Sequence, residues 1–302
     1  MHEGLIVTGF EPFSNFKRNI SQQIVEIISA EMVSDFKIST SILAVDENGS
    51  REISERIESG MILRFVDEEC EGLSNEIRLF TRAIEIANEY NPDFVVVCGD
   101  MTHDQYSVEQ RSTMFDVAKQ LHNEIDLHWV AGNHDVGKDP TKQSLEKFRK
   151  NYGKDNYSFQ SGEHSFIVFN SAICFDPANV EEEWRSLKEF LDSELEMADS
   201  ANANGAVLFA HHPLFLESPD EADSTHTIPL LTRKDILNII SKHNVKAIYS
   251  GHLHRNNYGR FNNVDLISSG SVGYTLGADP SGIRLVELDH GNMSHRYISL
   301  ED

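Results

Sequence analysis

Carboxylate, amide and imidazole side chains follow four separate apolar runs of the sequence. The runs continue into "VVVCGD", "WVAGNHD", "VLFAHH" and "IYSGHLH". The polar side chains at these four ends are Asp100, Asn133, His134, Asp135, His211, His212, His252 and His254. One such end would be explained by an ordinary turn or a structural histidine, but four in succession predict a metal centre. Mixed oxygen and nitrogen ligands suit Mn, Fe or Zn, whereas a soft site would use thiolates.

Such a centre is suited to phosphate-ester hydrolysis. A carboxylate can bridge two ions, and two ions about 3.5–4 Å apart can clamp a phosphate and lower the pKa of a bound water toward about 7. The formal net charge of −23 would repel a bare phosphate, so the positive charge must come from metal or from a local basic cluster. The same net charge argues against binding to nucleic acid or to an anionic membrane.

The sequence predicts strands that alternate with helices, and these elements must position the polar side chains. Short apolar runs rich in β-branched residues end in Gly, Asn or Asp and predict buried strands. Between them, the stripe of Trp184, Leu187, Leu191 and Leu195 predicts a helix with one buried face, and "SVEQ" at 107–110 predicts a capping box. The alternation predicts an α/β fold, in which ligands gather at the carboxyl ends of the strands.

Length and cysteine content narrow the class of protein further. The chain has 302 residues, which suits one large α/β domain with or without an appended segment. Cys70, Cys98 and Cys174 are scattered and form no CxxC, so a disulfide framework is not expected and a reducing compartment fits. No apolar run approaches the roughly 18 residues of a membrane helix. We therefore expect a cytoplasmic protein without a membrane partner.

The ordered motifs GD, GNHD, H and GHxH resemble those of the calcineurin-like metallophosphoesterase superfamily. The segments "EIRLFTRAIEIANEYNPDFVVVCGDMTH" and "HHPLFLESPDEAD" are similar to one branch, whose members are described as serine/threonine protein phosphatases. The resemblance covers residues 61–302. It implies a two-sheet α/β sandwich flanked by helices on both sides (αββα).

The resemblance also implies a role for each metal-type ligand. Asp100 would be the carboxylate that bridges two metal ions. Asn133, His211 and His252 would complete the second metal site, whereas His254 would belong to the first. One or two divalent ions per chain are therefore expected.

Other polar residues would surround the substrate. The resemblance implies that His134 lies beside the phosphate as a general acid or transition-state stabiliser, with Asp135 as a candidate to orient it. His103 and His226 could line the mouth of the site. Arg255, which follows the last ligand, could contact substrate or form a surface salt bridge.

The first motif of the superfamily, Asp-x-His or Asp-x-Gln, is missing where it should precede residue 61. Residues 56–60 read "RIESG" instead. Residues 1–60 are expected to form an atypical βα segment. Residues 4–59, most specifically in "VTGFEPF", resemble the start of pyrrolidone carboxyl peptidases. That family's later glutamate and Cys/His pair are not in this fragment, so no peptidase activity is inferred. Either the first metal site is damaged, or Asp46 and Asn48 of "AVDENG" replace the missing ligands.

We therefore expect a metal-dependent phosphoesterase that hydrolyses phosphomonoesters, with a phosphoprotein among the possible substrates. Two alternatives stay open. One is a cyclic-nucleotide phosphodiesterase, because such members of the superfamily share these motifs. The other is a binding protein that keeps the fold but has lost turnover, which the missing first metal-binding motif would explain.

Overall fold

The computed structural model of the protein describes residues 4–10, 37–43, 61–64, 69–201, 204–289 and 292–301. The chain divides into two compact units, Met1–Glu71 and Gly72–Asp302. Asp46 and Asn48, which the sequence suggested as replacement metal ligands, lie outside the described residues. None of the helices in the described ranges is long and apolar enough to span a membrane.

The first unit contains a three-stranded parallel sheet. Its strands are β1 (Gly4–Phe10), β2 (Lys37–Leu43) and β3 (Met61–Arg64), in the order β2-β1-β3. β1 includes the "VTGF" part of the peptidase-like segment. β3 lies just after residue 60, where the two sequence resemblances meet.

Helices and strands are interspersed along residues 69–299, and the last five elements are all strands. The helices of the described ranges are α1 (Glu69–Tyr90), α2 (Val108–Ala118), α3 (Asn133–Val136), α4 (Lys142–Tyr152), α5 (Ser171–Phe175), α6 (Glu181–Ala201) and α7 (Leu230–Ile240). The strands are β4 (Phe94–Val97), β5 (Asp126–Trp129), β6 (Tyr157–Ser161), β7 (His164–Val168), β8 (Ala206–Phe209), β9 (Val245–Ser250), β10 (Asn257–Phe261), β11 (Val264–Ser268), β12 (Gly282–Asp289) and β13 (Asn292–Ser299).

Six of these strands form one mixed sheet in the order β10-β11-β9-β8-β7-β6. The four inner strands are parallel, and an antiparallel hairpin closes each edge. β8 is buried along its whole length, which explains why "AVLF" is continuously apolar rather than alternating.

Two further strand pairs cover one face of this sheet. β4 pairs with β5 in parallel, and β12 pairs with β13 in antiparallel orientation. Val96 of β4 and Val286 of β12 both pack against the cluster that contains Val207 and Tyr249 of the six-stranded sheet. The described residues thus form a mixed α/β fold, in which the layer opposite the large sheet consists of two separate strand pairs.

Helices cover the other face of the large sheet. Leu187, Leu191 and Leu195 of α6 are 0–1% exposed and lie in one core cluster with Ile236 of α7 and Leu208 of β8. Because neighbouring residues of a strand point to opposite faces, Leu208 and Val207 belong to different clusters. The helical stripe predicted from the sequence is confirmed as a core-facing surface.

The strand ends place the predicted ligands in two neighbouring pairs. β4 and β5 are parallel neighbours, so Asp100 and Asn133 follow adjacent carboxyl ends. β8 and β9 are also parallel neighbours, so His211 and His252 do the same. Parallel pairing therefore brings residues that are far apart in the sequence to one edge of the fold.

Candidate metal centre and active site

Predicted ligands from all four strand ends meet around the Nε2 atom of His211. This atom lies 3.1 Å from Oδ2 of Asp100, 3.1 Å from Oδ1 of Asn133 and 3.1 Å from Nδ1 of His252. Carboxylate, amide and imidazole ligands in one cluster form a donor set that suits a divalent transition metal.

Backbone carbonyls set the tautomers of the two histidines in this cluster. Nδ1 of His211 lies 2.8 Å from the carbonyl of Cys98, and Nε2 of His252 lies 2.8 Å from the carbonyl of Thr225. A carbonyl can only accept, so each of these ring nitrogens donates an N–H. In the neutral rings, the lone pairs of His211 Nε2 and His252 Nδ1 then face each other and the two side-chain oxygens. Such a group of acceptors fits a bound cation, and the two carbonyls hold the ring orientations as metal sites require.

The pKa values of the clustered side chains also favour a bound cation. Burial lowers the pKa of His211, but the charge and hydrogen bond of Asp100 outweigh burial and raise that pKa above its usual value. Burial would raise the pKa of Asp100, yet His211 and His134 hold it well below its usual range. Burial, with the nearby His211, lowers the pKa of His252 to about 4. The buried carboxylate thus attracts positive charge, and His252 is held neutral, as a metal ligand must be.

Asp135 holds the turn that carries Asp100. Its carboxylate accepts the backbone N–H groups of Asp100 at 2.8 Å, Met101 at 3.1 Å and Gly132 at 2.9 Å. Burial and the charge of Asp100 raise the pKa of Asp135 to about 7, although the backbone N–H groups act in the opposite direction. The sequence suggested Asp135 as a candidate to orient His134, and that suggestion stays a prediction. The contacts seen here position Asp100, which adopts a φ of +55°.

Gly99 brings the backbone close to the His211 ring, and this contact leads to a testable prediction. Gly99 has a φ of +93°, and an added Cβ would lie 2.8 Å from Cγ of His211. We expect Gly99→Ala to destabilise the fold by about 1–3 kcal/mol through backbone strain and also to displace the ring from the metal centre. Gly153 has the same φ of +93° but nothing within 4 Å of an added Cβ.

Gly153→Ala is therefore the matched control for strain without crowding. Urea unfolding should show that both variants are destabilised, whereas metal analysis should show that only Gly99→Ala loses bound ion. Full metal content in Gly99→Ala would mean that the ring tolerates the added methyl group.

His134 lies beside the cluster but uses its ring for a different contact. Its backbone N–H donates to Oδ1 of Asp100 at 2.8 Å. Its Nδ1 lies 2.7 Å from the carbonyl of His103 and so donates a second hydrogen bond. The ring is therefore held through Nδ1, and Nε2 stays available to exchange a proton.

His254 carries an unsatisfied nitrogen. Its Nδ1 is buried and has no hydrogen-bond partner among the described residues, whereas the backbone of Tyr274 hydrogen-bonds to the ring. Burial lowers the pKa of His254, which favours the neutral ring. A buried lone pair without a donor fits a role in metal binding, as was predicted for the first site.

His212 lies close to the cluster, and its ring can be assigned a supporting role. Nitrogen atoms of His211, His212 and His252 all lie within 4.8 Å of one another and could hold a metal ion. However, Oγ of Ser171 accepts the backbone N–H groups of His211 and His212, so its own hydrogen points to Nδ1 of His212 at 3.0 Å. This leaves the proton of His212 on Nε2, which is then not a ligand atom. His211 and His252 remain the better ligands.

The residues expected at the mouth of the site differ in their contacts. The rings of His103 and His134 are 5.1 Å apart, and His226 is near enough for its charge to lower the pKa of His252. Arg255 is exposed. The sequence did not reveal the Cys98 and Thr225 carbonyls, because any residue type can supply a backbone acceptor.

The chain is similar in sequence to known phosphoesterases. The family model described as "Calcineurin-like phosphoesterase" matches residues 70–256. A protein of Mus musculus named serine/threonine-protein phosphatase CPPED1 is 35% identical over 233 residues, which is 75% of each chain. The human protein of the same name is 36% identical over 234 residues, 75% of this chain and 74% of that one.

A solved structure shares the fold at low sequence identity. A dimetal phosphatase from Danio rerio has a TM-score of 0.50 and 16% identity, covering 74% of this chain and 87% of that one. With its family model, its relatives and its clustered ligand-type side chains, the chain belongs to the calcineurin-like phosphoesterase family.

Proposed function

We propose that this chain hydrolyses phosphomonoesters with a divalent ion held by Asp100, Asn133, His211 and His252. The convergence of these acceptor atoms on His211 Nε2, with both ring tautomers set by backbone carbonyls, carries the proposal. A divalent ion in such a site acts as a Lewis acid on a phosphoryl oxygen and lowers the pKa of a water. His254, whose Nδ1 has no hydrogen-bond partner in the described part of the chain, would serve a second ion. The ion would be Mn, Fe or Zn.

His134 would act on the substrate rather than on the metal. With Nδ1 held by the His103 carbonyl, Nε2 of the protonated ring can give its proton to the leaving-group oxygen. The N–H that His134 donates to Asp100 keeps the ring next to the metal centre. The acid and the metal ligands would thus act on the same phosphate group.

The substrate would be a phosphorylated protein. The relatives in mouse and human are named serine/threonine-protein phosphatases, which supports phosphoserine or phosphothreonine as the reacting group. The net charge of −23 disfavours nucleic-acid and membrane partners. Scattered cysteines favour a cytoplasmic location. Residues 61–302 would form the two-sheet αββα sandwich of the family, with residues 1–60 as an additional βα segment.

A substrate panel with added Mn separates this function from its two rivals. We expect cleavage of the monoester nitrophenyl phosphate and much slower cleavage of the diester bis-nitrophenyl phosphate. Cyclic AMP should stay intact. Preferred cleavage of the diester or of cyclic AMP would favour a phosphodiesterase. No turnover of any of the three, with metal and a phosphate analogue still bound, would favour a binding protein.

The same assay tests the need for metal. We expect exhaustive chelation to abolish turnover and added Mn to restore it, because the described residues of the site include no exposed Ser or Cys paired with a base. Ser171 contacts His212 but is fully buried, and burial raises the pKa of the Cys98 thiol to about 12. Undiminished hydrolysis after chelation would contradict the proposed function.

A further inference from the structure

The loop between β4 and α2 supplies the hydrogen bond that orients the His134 ring. The carbonyl of His103, in this loop, accepts the N–H of His134 Nδ1 at 2.7 Å. This contact is made by the backbone, so the position of the loop, rather than the identity of residue 103, determines where the acceptor lies. Whatever holds the loop therefore also holds the ring.

Local hydrogen bonds define the shape of the loop. Ser107 caps α2, as predicted, by accepting the backbone N–H of Gln110. The side chain of Gln110 does not complete the predicted capping box but accepts the N–H of Asp104 at 3.0 Å. Oδ1 of Asp104 in turn accepts the N–H of Tyr106 at 2.8 Å. These bonds fix the shape of the loop, but they all lie within the loop and the start of α2.

Contacts from other elements hold the loop in place: Asp135 holds its start at Asp100 and Met101, and Lys147 holds the part that follows His103. Nζ of Lys147, on α4, donates to the carbonyl of Gln105 at 2.8 Å and lies 4.1 Å from the centroid of the Tyr106 ring. The lysine thus contacts two consecutive loop residues, one by a charge-assisted hydrogen bond and one by a cation–π interaction. α4 follows shortly after α3, which begins with Asn133 and His134.

Lys147 therefore connects the chain segment that carries His134 with the loop that orients its ring. We propose that Lys147 is a positioning residue, which holds the His103 carbonyl against His134 and so selects the ring tautomer with the proton on Nδ1. This inference rests on the proposed function in one respect, namely that His134 gives a proton to the leaving group. The selection of the tautomer is a separate structural consequence that can be measured without turnover.

The proton transfer predicts which substrates depend on the position of the ring. When water adds to phosphorus, the bond to the leaving oxygen breaks, the oxygen keeps the electron pair, and it takes the proton from Nε2 of the protonated ring. A poor leaving group needs this proton more than a good one does. Mispositioning of the ring should therefore slow phenyl phosphate hydrolysis more than nitrophenyl phosphate hydrolysis.

The decisive variant is Lys147→Met, which keeps most of the aliphatic side chain but removes the ammonium group. Lys150→Met is the matched control, because Lys150 lies exposed on the same helix. Lys147→Arg restores a cation that can donate to the Gln105 carbonyl. Long-range ¹H–¹⁵N NMR spectra of the histidine rings, with the His134 signals assigned from a His134→Ala spectrum, report the tautomer at one fixed pH.

We expect His134 to be the Nδ1–H tautomer in the native protein, in Lys150→Met and in Lys147→Arg, and a mixture of tautomers in Lys147→Met. We also expect Lys147→Met to lower kcat about tenfold for phenyl phosphate and less than about twofold for nitrophenyl phosphate, with KM little changed. An unchanged tautomer in a folded Lys147→Met protein would overturn the proposal, as would the same change in Lys150→Met. If the native protein turned over neither ester, the proposed function would fail, but the NMR comparison would still decide whether Lys147 positions the ring.

Discussion

We expect His134→Ala to lower kcat by about 10²–10⁴-fold and to leave the metal content of the protein nearly unchanged. The His134 ring contacts the His103 carbonyl and is not among the atoms that meet around His211 Nε2. The backbone N–H that reaches Oδ1 of Asp100 is kept in the alanine variant. The substitution should therefore remove a proton donor without removing a metal ligand. Steady-state kinetics and elemental analysis of the same preparation measure the two effects.

His252→Ala is the informative comparison for this prediction. It removes the Nδ1 atom that lies 3.1 Å from His211 Nε2, so both activity and bound metal should fall. His243→Ala serves as the control, since that ring pairs with Asp192 and Asp199. Equal metal loss in His134→Ala and His252→Ala would contradict the division between substrate and metal residues.

The protein as purified should retain close to one tightly held ion per chain. Asp100, Asn133, His211 and His252 supply four ligands for one ion, whereas only Asp100 and His254 are candidates for a second among the described residues. With two protein ligands, water must occupy the remaining positions, and affinity falls. A single ion can still polarise the phosphate, but the symmetric clamp on the attacking and leaving oxygens is lost. Activity should therefore be weak and should rise with added Mn.

Metal content after gel filtration tests this stoichiometry in three proteins. The native chain, His254→Ala and Asp46→Ala should each keep about one ion, because neither substitution touches the four-ligand site. Two firmly held ions in the native chain and one in Asp46→Ala would mean that the N-terminal segment rebuilt the first site. Two ions in all three proteins would refute both the damaged-site interpretation and the replacement by Asp46.

The α/β character of the fold could be predicted because strand and helix patterns are local. The continuous apolar run of β8 and the stripe of Leu187, Leu191 and Leu195 on α6 reflect burial, which each segment records in its own residues. The split of the second layer into β4-β5 and β12-β13 could not be predicted. Which strand edges pair depends on backbone hydrogen bonds between distant segments, and these leave little trace in side-chain type.

The sequence by itself determined which side chains could bind metal, since Asp100, Asn133, His211 and His252 each follow a predicted strand end. Tertiary structure decided how those side chains are used. The tautomers of His211, His252 and His134 depend on carbonyls of Cys98, Thr225 and His103, and the proton of His212 depends on the Ser171 hydroxyl. A backbone carbonyl has the same chemistry in every residue, so its effect comes only from where the folded chain places it. For that reason the candidate ligands could be named from the sequence, but the positions of their protons could not.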